Sequence, residues 1–161
     1  PITVAFAIPI FRYQQMIRQH FKVLMLSSSM AMLVGIFSSW ALANMFDFEE
    51  VVKNSLLARS ISIPFALILT EKVGGSISLI PLFTVITGLV GMLFGDLILL
   101  CSKFKNRIAY GTAFGNGAHA MGIARARQRH ELEGVIASLS MIISGIIMVV
   151  FIPIVFGIFS I

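Results

Sequence analysis

Three long apolar runs alternate with shorter polar segments along the chain. They cover residues 23–46, 76–101 and 134–161, and Asp96 is the single charged residue inside them. A helix needs about 20 mostly apolar residues to cross the hydrocarbon core of a bilayer. Each run is long enough, so the pattern predicts an all-α polytopic membrane protein with three full transmembrane helices.

A further apolar segment, SISIPFALILTEK (residues 60–72), is too short to cross a bilayer. Pro64 suits the first turn of a helix, Ser62 suits its N-cap, and Gly74 and Gly75 follow its end. A helix that stops part-way through a membrane is tolerated only where its backbone is buried in protein or lines a cavity. We therefore expect a re-entrant half-helix here.

The segment YGTAFGNGAHAMGIARARQR (residues 110–129) is interrupted by Gly115, Asn116 and Gly117. Glycine and asparagine favour turns over helices, which predicts a break at these positions. A helix that restarts at Asn116 or Gly117 has free backbone N–H groups at residues 117–119. Those groups and the positive end of the helix dipole form an anion site. Discontinuous helices of this kind form substrate sites in secondary transporters, so we expect a second broken segment that re-enters the membrane.

Residues 47–59, DFEEVVKNSLLAR, differ from the runs around them. Apolar residues recur there at helical spacing, and Glu49, Glu50 and Lys53 lie on the opposite face. This pattern predicts a short amphipathic helix lying on the outward-facing membrane surface.

The chain begins with an apolar stretch, PITVAFAIPIF (residues 1–11), that is too short to span. We interpret it as the tail of a truncated helix. Residues 1–161 then form a single membrane domain, which is the C-terminal portion of a longer architecture.

Basic residues cluster in three loops of the chain. These residues are Arg12, Arg18, Lys22, Lys103, Lys105, Arg107, Arg125, Arg127 and Arg129. If both short segments are re-entrant, the three loops share one side of the membrane, and the other side holds only Lys53, Arg59 and Lys72. The positive-inside rule favours this topology and places the three loops in the cytoplasm. A spanning helix followed by a half-helix then occurs twice in opposite orientations, as in the inverted repeats of transporters.

Composition excludes several classes of function. The chain is 58% hydrophobic and 12% charged, with a mean hydropathy of +0.98, whereas soluble domains are roughly 25% charged. The net charge of +5 comes from loop residues, so no nucleic-acid partner is expected. Cys101 is the single cysteine, and no pattern for a metal or another cofactor is present. An enzyme is not expected, because the sequence has no HExxH, no GxSxG and no paired intramembrane acids.

Three motifs resemble one family of bacterial membrane proteins, the LrgB/CidB family. They are PITVAFAIPIF (residues 1–11), SIPFALILTEKVGG (residues 62–75) and GNGAHAMGIARARQRHELEGVIASLSM (residues 115–141). The chain is also similar to the C-terminal half of the plastidial glycolate/glycerate translocator. The resemblance implies further N-terminal helices, which we expect to be missing from this chain.

The resemblance implies a multi-pass protein of the bacterial cytoplasmic (inner) membrane that transports small carboxylates such as pyruvate, glycolate or lactate. The alternative it implies is a holin/antiholin-like regulator of murein hydrolase activity and lysis. It also implies a partner in the bilayer, a small membrane protein of the LrgA/CidA type. Small residues such as Gly91 and Gly95 allow close helix packing, and we expect a homodimer or a larger homo-oligomer.

The candidate site residues come from the two broken segments and their surroundings. The expected substrate-binding residues are Ser62, Pro64, Asn116, Gly117, His119, Gly122 and Arg125. His119 and Asp96 are candidates for proton coupling, since ionisable residues inside membranes are often functional. Simpler interpretations remain open: His119 as a hydrogen-bonded packing residue, Asp96 as an interfacial residue, and the arginines as determinants of topology.

Overall fold

The computed structural model describes residues 11–102 and 106–159, with side chains as far as residue 151. Its elements within these ranges are helices: α1 (Gln14–Met45), α2 (Glu50–Ala58), α3 (Ile63–Val73), α4 (Leu79–Cys101), α5 (Arg107–Arg129) and α6 (Glu131–Phe159). The described residues contain no strand. Residues 1–10 of the first apolar stretch, together with Lys103 and Lys105, lie outside the described ranges.

Three helices are long and apolar enough to cross a membrane, as the sequence predicts. They are Gln14–Met45, Leu79–Cys101 and Glu131–Phe151. The apolar window of α6 is 50% buried inside the protein, against 17% for α1 and 11% for α4. Thus α6 forms the centre of the bundle, and α1 and α4 expose apolar side chains such as Phe37 and Leu93.

Helices α2 and α3 form a hairpin that enters the membrane. At its base, the Asn54 side chain donates to the carbonyl of Val73 at 2.8 Å, and the Ser76 amide donates to Ser55 Oγ at 2.8 Å. At its tip, residues 59–62 contact the middle of α1, where a β-carbon on Gly35 would lie 2.8 Å from Ser60 Oγ. Gly35 lies ten residues before the end of α1, a depth of about 15 Å at 1.5 Å per residue.

This hairpin confirms one expectation from the sequence and corrects another. Helix α3 has Ser62 as its N-cap, proline in its first turn, and Gly74 at its end in a left-handed conformation (φ 74°). The amphipathic helix predicted for residues 47–59 does not lie on the surface, because α2 packs against α1, α3 and α4 with Leu57 and Ala58 buried. The apolar stripe contacts protein instead of the lipid interface.

Helix α5 is a second hairpin, with its break at His119. The backbone of His119 has φ 49° and ψ −130°, whereas residues 107–118 and 120–129 are helical. The two arms lie side by side: the Tyr110 ring centroid is 4.2 Å from Cζ of Arg129, and a β-carbon on Gly122 would overlap the carbonyl oxygen of Phe114. Both ends of α5 therefore lie at the same end of the bundle, as a re-entrant segment requires.

The predicted break at residues 115–117 is wrong in position. A β-carbon on Gly115 would overlap the carbonyl oxygen of Ala137 in α6. The glycine thus allows close helix packing and does not interrupt the helix. Consequently the N–H groups predicted to be free at residues 117–119 belong to the end of the first arm, and the second arm begins at Ala120.

The basic segments gather at one end of the bundle, which we call the basic end. Arg12 near the start of α1 lies 3.7 Å from Glu131 at the start of α6. Asp96 near the end of α4 pairs with Arg125 and Arg129 at the end of α5. The α2–α3 hairpin enters from the opposite end, because it follows the end of α1. A spanning helix followed by a hairpin therefore occurs twice, in opposite directions.

Candidate functional site

The tips of the two hairpins touch at the centre of the protein. Nε2 of His119 lies 3.2 Å from the backbone carbonyl oxygen of Arg59. A carbonyl can only accept, so Nε2 carries the hydrogen of this bond. His119 is only 4% exposed. The break in α5 is thus joined directly to the turn between α2 and α3.

The contact lies near the middle of the spanning helices. A β-carbon on Gly91, in the central part of α4, would be 2.6 Å from Cβ of Ala118. Ser144, near the middle of α6, hydrogen bonds to the side chain of Asn116. Gly91 and Ser144, which contact the residues beside the break, each lie half-way along a transmembrane helix. The hairpin tips are therefore near the centre of the bilayer.

His119 holds a backbone conformation that L-amino acids rarely adopt. Its φ of 49° and ψ of −130° lie outside the small left-handed region open to side-chain-bearing residues. Such conformations cost about 1–3 kcal/mol and cluster at functional sites. Glycine would adopt this turn at lower cost. The histidine at this position therefore indicates a role for its imidazole.

A cavity of about 710 Å³ lies between α1 and the first arm of α5 and reaches the hairpin tips. It extends from His20 and Asn106 at the basic end to Arg59 and His119 at the centre. Its volume is within the range of small-molecule sites, about 300–1,000 Å³. Its polar lining near the centre consists of Ser27, Ser38, Arg59, Ser60, Thr87, Thr112, Asn116, His119 and Ser144.

Arg59 is the cavity residue that sequence reasoning missed. Its Nη1 donates to Thr87 Oγ1 at 3.4 Å, and no carboxylate among the described residues lies within 4.0 Å of it. The pattern of charges along the chain assigns it to a surface segment, as one of the few basic residues on the outer side. The available signal was its position directly before the turn that leads into the half-helix at Ser62.

The predicted site residues separate into four groups, of which three lie at or near the hairpin tips. Asn116, Gly117 and His119 line the cavity. Ser62 and Pro64 begin α3 beside the hairpin tip, and the hydroxyl of Ser62 makes no capping bond. Gly122 lies where the two arms of α5 pack together. Binding roles for all of these residues stay predictions.

Arg125 and Asp96 lie at the basic end, away from the cavity lining. Arg125 Nη2 contacts Asp96 Oδ2 at 2.6 Å, Arg129 Nη1 contacts Asp96 Oδ1 at 3.0 Å, and Arg129 Nε contacts Glu133 Oε2 at 3.1 Å. Desolvation lowers the pKa of Arg129, but Glu133 and Asp96 outweigh it, so the net pKa is raised. These ion pairs join α4, α5 and α6 at the membrane surface, which is the interfacial role left open for Asp96.

Comparison with known proteins identifies the family. A profile of the LrgB-like family matches residues 1–158. The chain belongs to the LrgB-like family. Among its relatives, this LrgB-like chain is 30% identical to the uncharacterized protein YwbG of Bacillus subtilis, over 91% of the chain and 65% of YwbG. It is 27% identical to the holin-like protein CidB of Staphylococcus aureus (94% and 66%) and to the antiholin-like protein LrgB of Bacillus subtilis (96% and 67%).

These comparisons confirm the family resemblance but do not extend it to a specific activity. The LrgB-like chain spans about two thirds of the length of these curated relatives. No solved structure matches it. The names of CidB and LrgB describe holin-like and antiholin-like proteins, which fits the lysis-regulator alternative better than a carboxylate transporter.

Proposed function

We propose that this LrgB-like chain forms the substrate site of a carrier for small carboxylates in the bacterial inner membrane. The observation that carries the proposal is the meeting of two hairpin tips from opposite ends, His119 against Arg59, beside a cavity whose lining includes polar side chains. Secondary transporters bind substrates near the midplane between inverted repeats, where broken segments supply polar groups.

The lining of the cavity favours an anion of small size. It supplies a guanidinium from Arg59, an amide from Asn116 and the hydroxyls of Ser60 and Thr87, and its described residues include no Asp or Glu. The other lining hydroxyls donate to backbone carbonyls of their own helices. The hydroxyl of Ser144 engages one end of the Asn116 amide, which leaves the other end for a ligand. A carboxylate accepts hydrogen bonds from guanidinium and hydroxyl groups. The bonds from the guanidinium are the stronger, because both groups are charged.

A second candidate function is a holin/antiholin-like regulator of murein hydrolase activity and lysis. The names of CidB and LrgB favour it. In this case the exposed apolar faces of α1 and α4 would contact a homo-oligomer or an LrgA/CidA-type small membrane protein instead of lipid. Exposed side chains such as Phe37, Leu93 and Leu97 are available for such contacts.

Uptake into proteoliposomes separates the two functions. The full-length protein is reconstituted, and entry of labelled lactate, pyruvate and glycolate is measured with and without a proton gradient. We expect saturable uptake of at least one acid that is absent from empty liposomes. If no acid enters, and deletion of the gene still changes murein hydrolase activity in cells, the lysis-regulator function replaces the carrier.

A further inference from the structure

We propose that Arg59 is the anion-binding residue of the central cavity, positioned by Thr87 and His119. This inference rests on the carrier proposed above and assigns its charge recognition to one side chain. No charged residue of the hairpin tip was expected at this place from the sequence, and the assignment depends on where the structure puts the guanidinium.

Arg59 differs in its partners from several other arginines of the chain. Arg12, Arg125 and Arg129 each contact a carboxylate, at 3.7, 2.6 and 3.0 Å respectively. Arg59 contacts the hydroxyl of Thr87 and no carboxylate among the described residues. These three arginines at the basic end are paired with acids, whereas the one near the centre of the membrane is not.

A guanidinium without a carboxylate partner is costly at this depth. A guanidinium stays charged at any pH that a protein meets, and a charge inside a membrane is costly unless it is paired or faces a polar cavity. Arg59 lines the cavity. An anion bound in the cavity would supply Arg59 with the negatively charged partner that no described side chain provides.

Two other helices hold Arg59 in place. Thr87 of α4 accepts from its guanidinium, and His119 of α5 donates to its backbone carbonyl. Two elements of the second repeat therefore fix a residue of the first. The described lining of the cavity contains no lysine and no other arginine, so a single permanent positive charge faces the ligand.

Anion binding is tested by thermal unfolding of the purified full-length protein in detergent. The probe is sodium acetate or sodium lactate, with sodium chloride at the same ionic strength as the reference. A ligand that binds only the folded state raises the unfolding temperature to an extent set by its affinity and concentration. We expect acetate or lactate to raise the Tm of the wild type and to leave Arg59→Gln unchanged.

Three variants separate binding from a merely structural role. Arg59→Lys keeps the charge and should retain a reduced shift, and Thr87→Val should weaken binding several-fold because the guanidinium loses its partner. Lys72→Gln is the matched control, since it removes one positive charge from the exposed end of the same hairpin and should behave like the wild type. In uptake, Arg59→Gln should lose about tenfold or more, as expected for a charge-assisted hydrogen bond.

Chemical rescue tests whether the guanidinium group itself is required for uptake. Uptake by Arg59→Ala should recover in part with methylguanidinium, which can occupy the vacated space, and Lys72→Gln should not respond to it. An equal Tm shift in Arg59→Gln and the wild type, or no shift in either, would overturn the assignment of Arg59. Absence of uptake by the wild type would instead count against the carrier, so the two failures are distinguishable.

Discussion

The backbone at His119 offers a direct test of the site geometry, because the residue combines a strained turn with a buried side chain. Replacement by alanine keeps the β-carbon, and with it the strain of φ 49° and ψ −130°. It also removes the bond from Nε2 to the Arg59 carbonyl. Replacement by glycine loses the same bond but relieves the strain.

The expected magnitudes combine the lost hydrogen bond with the relief of strain. Leaving the Arg59 carbonyl without its partner costs about 1–3 kcal/mol in both variants. In His119→Gly alone, relief of the backbone strain raises the free energy of unfolding by about 1–3 kcal/mol. The greater freedom of glycine in the unfolded chain lowers it by about 0.5–1 kcal/mol. His119→Gly should therefore be more stable than His119→Ala by about 1 kcal/mol, and by at most about 2.5 kcal/mol.

Two measurements on the same pair of variants complete the test. Thermal unfolding in detergent gives the order of stability, and proteoliposome uptake gives the function. We expect both variants to lose uptake, since neither has an imidazole to hold the hairpin tip. His119→Ala equal to or more stable than His119→Gly would refute the strained turn, and normal uptake by His119→Gly would show that the turn alone is sufficient.

Three further predictions concern the rest of the fold. Asp96→Asn should lower the free energy of unfolding by about 1 kcal/mol, because two partly exposed ion pairs are weakened, and should leave the acetate-induced Tm shift unchanged; a lost shift would place Asp96 in the site. Gly115→Ala should destabilise the protein by about 1–3 kcal/mol through overlap with α6, whereas Gly117→Ala, whose β-carbon meets nothing within 4 Å, should be neutral or stabilising in the same unfolding assay. In a cysteine-free background, Arg107→Cys should be labelled from the cytoplasmic side and Lys72→Cys from the outside; labelling of both from one side would contradict the topology.

Local features of the chain determined which segments are helical, but not all of the helix bounds. The three spanning helices are predictable from run length and apolarity, which need no knowledge of neighbours. The bounds of α3 are predictable from Ser62, Pro64 and Gly74, because capping and proline preferences act within one or two turns. The grouping of the basic residues at one end is predictable from charge clustering, and the contacts of Arg12 and Asp96 agree with it. Their placement in loops was wrong, because Arg18 and Lys22 lie in α1 and the other described residues of the set, apart from Arg12, lie in α5.

Tertiary structure alone decided where the break lies and what surrounds it. Glycine serves both as a helix breaker and as a site of close packing, and the neighbour selects between these uses: Gly115 faces the backbone of Ala137 and stays helical, while the chain reverses at His119. The apolar stripe of α2 could likewise pack on lipid or on protein. In the structure it packs on protein, because α1, α3 and α4 contact α2. Arg59 resembles a surface charge in the sequence, because its partners, Thr87 and His119, come from distant parts of the chain and only folding brings them to one point.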